Sequence, residues 1–204
     1  MKSKKSTDDL IDQLTHEPAP KSVWPAFPLI PLAITLVSGV LVDSLAGMFP
    51  WDWSSLTSAS LMMMIAGLLF AALGLWLCLG LLSPLKRIDW RSFSLVGFSA
   101  VVMFAAASQL PKSGLVQMLS CYGLIILIAV PCLFSSIWLL QRGATLAPVV
   151  VGIGAGLFSG GLAGLLFLLH CPYLADGSGI HAEMAAISTL AVVGAASGWR
   201  LLKW

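Results

Sequence analysis

Charge is scarce in this chain. Lysine, arginine, aspartate and glutamate together make up 10% of its 204 residues, against about a quarter in soluble domains. So few charged groups cannot solvate a water-exposed surface. Hydrophobic residues at 58% and a mean hydropathy of +0.95 exclude a soluble globular domain from the other direction. The net charge of +2 is spread over scattered basic residues, which gives no nucleic-acid surface.

Motifs are scarce as well. The four cysteines, at 78, 121, 132 and 171, form no CxxC pair, so a zinc ribbon and a thioredoxin-type motif are excluded. No G-x-x-x-x-G-K-[ST] phosphate loop and no H-E-x-x-H zinc helix occur. His181-Ala182-Glu183 spells the first half of a zinc deaminase signature, but no P-C-x-x-C follows it. The first 24 residues carry mixed charge and no apolar core before a small-residue cleavage site. The first apolar run is therefore expected to serve as a retained insertion signal. No catalytic constellation emerges, and the chain is not expected to be an enzyme.

What the sequence does contain is long apolar runs. Polar breaks divide it into six, at residues 27–49, 59–82, 92–110, 119–140, 146–169 and 180–201. Each comes near the ~20 residues that cross a hydrocarbon core. The expected architecture is all-α: a polytopic membrane protein with a bundle of six transmembrane helices spanning 27–204, preceded by a cytoplasmic segment, 1–26. Lysines 2, 4, 5, 21, 86 and 203 and arginines 87, 91, 142 and 200 fall on one side of such a bundle, and only Lys112 on the other. The positive-inside bias then makes both the N-terminus and the C-terminus cytoplasmic. Trp51 and Trp53 at the outer rim, with Trp90 and Trp204 at the inner, suit interfacial belts.

That orientation puts Cys121 at the outer end of the fourth span and Cys171 at the outer end of the fifth. Cys132, mid-span, and Cys78 read as small packing residues. Near Cys171 stand His170, His181 and Glu183. Thiolate and imidazole suit soft and borderline metal ions, and two thiols at one depth can close a disulfide. Cys121, Cys171, His170 and His181 are thus candidate sensor residues for metal or redox, set against incidental loop polarity. Gly152, Gly156, Gly160 and Gly164 recur every fourth residue and form one helix-packing face, with Ala191, Gly194, Ala195 and Gly198 as a matching surface.

The tail KKSTDDLIDQLTHEPAP carries a short amphipathic helix signal. Ser6 can cap it, Asp8 and Asp9 suit its first turn, and Leu10, Ile11 and Leu14 form one apolar stripe before Pro18 and Pro20. A segment this short folds on a partner's groove more readily than alone.

Taken together, Thr7-Asp8-Asp9-Leu10-Ile11-Asp12-Gln13-Leu14, Cys121 with Pro131, Gln141-Arg142-Gly143-Ala144, Leu169-His170-Cys171-Pro172 and Gly198-Trp199-Arg200-Leu201-Leu202-Lys203-Trp204 resemble one family. It is the NrsF (negative regulator of sigma F) type of six-span bacterial anti-sigma factor. The resemblance implies a multi-pass protein of the bacterial inner membrane that sequesters an extracytoplasmic-function sigma factor without touching nucleic acid. It implies release of that factor when heavy metal or oxidant acts on Cys121 and Cys171. The implied partner-binding residues are Asp8, Asp9, Leu10, Ile11 and Leu14. No resident cofactor is implied, only transient metal-ion binding at the two cysteines. The main rival of another class is a small proton-coupled transporter with Asp43 and Glu183 as carriers. Neither an internal repeat nor a polar line at mid-membrane depth supports it.

Overall fold

The computed structural model describes residues 26–46, 58–81, 114–142, 147–170 and 178–202. They form five helices with short flanks: α1 Ala26–Ala46, α2 Ser58–Leu81, α3 Leu115–Leu140, α4 Pro148–His170 and α5 Ser178–Leu201. Among the described residues there is no strand. Helix is what such sequences must form in lipid, where every backbone N–H and C=O has to be satisfied within the segment.

Four of the helices are long and apolar enough to cross a membrane, over Met63–Gly80, Met118–Leu140, Pro148–Leu168 and Gly179–Leu201. The apolar stretch of α1, Pro28–Val42, is shorter. The span expected at 92–110 and the N-terminal helix lie outside the described residues, as do Trp51, Trp53, Trp90, Lys112 and Trp204. Where expected spans are described, their ends differ by a few residues. Helix α3 starts at Leu115 rather than 119, because Gly114 is extended (φ −63°, ψ 138°) and its carbonyl accepts the Met118 N–H at 3.1 Å. Hydropathy alone does not see that bond.

Helix α4 is the axis of the bundle and packs against all four of the others. Six glycines make it thin enough for that. On one face, an added Cβ at Gly152 would meet the Gly194 carbonyl of α5. One at Gly156 would run into the Leu190 carbonyl and lie 2.8 Å from the Ala191 Cα, and one at Gly160 would sit 3.2 Å from the Ile187 Cα. On another face, an added Cβ at Gly154 would lie 3.0 Å from the Gly74 carbonyl of α2. At Gly161 it would lie 2.6 Å from the Gly67 carbonyl. Both registers run in opposite directions along the chain, so α4 is antiparallel to α2 and to α5. Lipid gives apolar side chains no drive to associate, and close backbone approach supplies the dispersion contact instead.

The outward surface is apolar. Leu36, Val37, Val40 and Leu41 of α1, Trp76 of α2, Phe134 of α3 and Val192 of α5 are exposed, whereas among the described side chains of α4 the exposed large apolar one is Val149 in its first turn. Contiguous apolar surface on this scale suits hydrocarbon rather than water. Prolines interrupt two helices, Pro31 in α1 and Pro131 in α3. Each removes a backbone donor. Near them, hydroxyls bond the loosened turns: Thr35 Oγ1 donates to the Pro31 carbonyl at 2.7 Å and Ser135 Oγ to the Cys132 carbonyl at 2.8 Å. Across the bundle, Ser38 Oγ donates to the Ile128 carbonyl at 3.3 Å and joins α1 to α3.

Replacing Gly156 with alanine drives a methyl into the α5 backbone, which cannot move aside as a flexible side chain would. We expect about 1–3 kcal/mol of destabilisation. At Gly123, where an added Cβ meets nothing within 4 Å, alanine should be neutral or stabilise by up to about 1 kcal/mol. Thermal unfolding of the two variants in one detergent measures both. Equal melting points would contradict the close α4–α5 seam.

Candidate functional site

Polar groups inside an apolar bundle need partners, and most of those described here have one. The buried hydroxyls of Thr35, Ser135 and Ser159 each donate to a carbonyl three or four residues back in the same helix. Both carboxyl oxygens of Glu183 are buried with no hydrogen-bond partner among the described residues. Hydroxyls can turn back on their own helix. Glu183 makes no such bond back to its own helix.

Glu183 lies in the second turn of α5 and is fully buried. It faces a notch floored by glycine. An added Cβ at Gly164 of α4 would meet its Oε1 and lie 2.9 Å from its Cδ; one at Gly67 of α2 would lie 3.2 Å from Oε1. The carboxyl thus occupies the junction of α2, α4 and α5. The sequence marks it only as one acid in an apolar run, read there among loop-proximal polar residues or as a proton carrier. Its placement in a notch depends on two glycines from distant helices.

Of the candidate sensor residues, Cys121 is the seventh residue of α3 and is 3% exposed. His170 is the last residue of α4, and His181, half-buried, lies in the first turn of α5. Cys171 lies outside the described residues, as do Asp8, Asp9, Leu10, Ile11 and Leu14. Because α4 and α5 run antiparallel, the His170 end of α4 meets the His181 end of α5. Beside Cys121, the Tyr122 hydroxyl donates to Thr189 Oγ1 at 3.2 Å, tying the N-terminal half of α3 to that of α5. These positions share one half of the bundle. Among the described residues, no three histidine, cysteine or acidic side chains form a group able to hold a metal ion.

The other two thiols are buried among helices. Cys78 of α2 donates toward the Val151 carbonyl of α4 at 3.6 Å, and Cys132 packs with Ala71 and Phe158. At the end of α3, the Arg142 guanidinium stacks over the Trp138 ring at 3.9 Å from its centre, a pairing suited to a membrane interface.

Glycine-seamed apolar helices, a lipid-facing exterior and buried polar side chains make this a helical membrane protein. Comparison with known proteins takes the identification further. The family described as negative regulator of sigma F matches residues 16–204, and the chain belongs to that family. It is 32% identical over 85 residues to the anti-sigma-F factor NrsF of Caulobacter vibrioides (strain NA1000 / CB15N). That stretch covers 42% of this chain and 40% of the relative's length. No solved structure matches the chain.

The burial of Cys121 has a direct consequence. In a Cys171→Ser background, a polar maleimide applied to intact membranes should leave Cys121 unmodified and should label it fully after denaturation in SDS. Rapid labelling before denaturation would show that the packed bundle does not cover this thiol.

Proposed function

We propose that this chain is a multi-pass anti-sigma factor of the bacterial inner membrane. It holds an extracytoplasmic-function sigma factor at the cytoplasmic face and releases it when heavy metal or oxidant acts on Cys121 and Cys171. Membership of the negative-regulator family over residues 16–204 is the observation that carries this reading. The name of the Caulobacter relative, an anti-sigma-F factor, supports it. In this reading six spans place both termini inside, and the apolar stripe of Leu10, Ile11 and Leu14, with Asp8 and Asp9, grips the sigma factor.

The packing suggests a route for the signal. Cys171 directly follows the last residue of α4, and Cys121 sits on α3, whose Tyr122 is bonded to α5. Ligation or oxidation of the two thiols draws on both helices. Because α4 is seamed to α2 and α5 through glycine, a small slide of α4 reaches the opposite membrane face as a movement of the bundle. Glycine seams present few interlocking side chains to resist it.

The test is a membrane pull-down. The tagged full-length chain is co-expressed with sigma factors from its own genome, and capture is compared before and after chromate or cadmium. We expect one sigma factor to co-purify before treatment and to be lost after it. Replacing Cys121 and Cys171 together by serine should keep capture and abolish release. Capture of no sigma factor under either condition would remove the proposal, and normal release from the double variant would remove the sensing role.

A further inference from the structure

The resting bundle contains a group that destabilises it. Glu183 is fully buried, and neither oxygen has a hydrogen-bond partner among the described residues. The helices that form its notch, α2 and α4, contain no lysine or arginine, and the histidine of α4, His170, is its last residue. A buried polar group without partners costs free energy in either protonation state, because both forms give up hydrogen bonds to water. Space is not the reason for its presence. An apolar side chain of similar length would fill the same notch without that penalty, as replacement of buried polar groups by well-packed apolar ones commonly stabilises.

Position explains what the penalty can do. Glu183 lies six residues into α5, and the Gly164 that floors its notch lies six residues before the end of α4. Both are therefore only ~8–9 Å along their helices from the shared end. A modest parting of α4 from α5 at that end brings water to the carboxyl. The packed arrangement is penalised by the buried group, and the parted one is relieved of it.

We propose that Glu183 is the switch residue of the bundle. Its unpartnered carboxyl, held in the notch between Gly67 and Gly164 only while α2, α4 and α5 stay in register, biases the resting state toward opening at the α4–α5 seam. The coupling of that opening to partner release rests on the proposed anti-sigma function. The carboxyl therefore keeps the packed state shallow enough for a modest stimulus at the same end to open it, as ligands shift populations only between states of comparable free energy.

The experiment compares full-length wild type, Glu183→Met and Glu183→Gln in detergent and in cells. Methionine removes the polar atoms and keeps the bulk, so the melting point should rise by about 5 °C. Sigma factor captured by this variant should stay bound under a cadmium dose that empties the wild type. Glutamine keeps an unpartnered polar group, so it should melt near the wild type and still release. A methionine variant melting at or below the wild type would overturn the inference. So would a stabilised methionine variant that releases like the wild type. If the wild type captures no sigma factor at all, the proposed function falls, while the melting points still decide whether the carboxyl strains its notch.

Discussion

Backbone contact between α4 and its neighbours is the constraint on which the rest of this structure depends. In lipid, apolar side chains gain little by leaving one apolar medium for another. The bundle instead coheres through dispersion between surfaces brought unusually close. At Gly152, Gly156 and Gly161 even one added methyl would enter a neighbouring backbone. The same thinness lets a single helix serve as the common partner of four others. It also creates the Glu183 notch, since a side chain at Gly164 would occupy the carboxyl's place.

A bundle cohering in this way tolerates polar atoms only on terms set by each side chain's reach. Serine and threonine fold back onto the previous turn, as Ser159 does to Ala155 at 2.9 Å, and so disappear as a liability. Thr35 does the same beside Pro31, where the helix has lost a donor. Glu183 makes no such bond, and that sets it apart from the buried hydroxyls of Thr35, Ser135 and Ser159. The proposed sensor positions and this carboxyl lie toward the same end of α4 and α5. An external stimulus and an internal penalty can thus act on one seam.

Much of this was legible in the residue pattern. The apolar runs announced helices, and four of them have the length and composition of spans. The spacing of Gly152, Gly156, Gly160 and Gly164 announced one smooth face, because four residues bring a helix nearly back to the same side. The second seam was harder to see. Gly67 and Gly74, like Gly154 and Gly161, are seven residues apart, and that spacing also keeps one face. Two glycines in each of two distant helices do not announce that they will meet. The ends of the helices were read only to within a few residues, since Gly114 caps α3 through backbone geometry rather than through any change in hydropathy.

The sequence by itself determined the chemistry of the solvent this protein needs and the helical form of its segments. It also carries the family resemblance confirmed over residues 16–204. Those properties follow from composition and local spacing, which act within one turn or one segment. Tertiary structure alone decided that α4 would be the shared axis, and that a second glycine face, carrying Gly154 and Gly161, would take α2. It also decided that Glu183 would be sealed between Gly67 and Gly164 rather than face water. Each of these requires residues far apart in the chain to arrive at the same place, and no local pattern encodes that meeting.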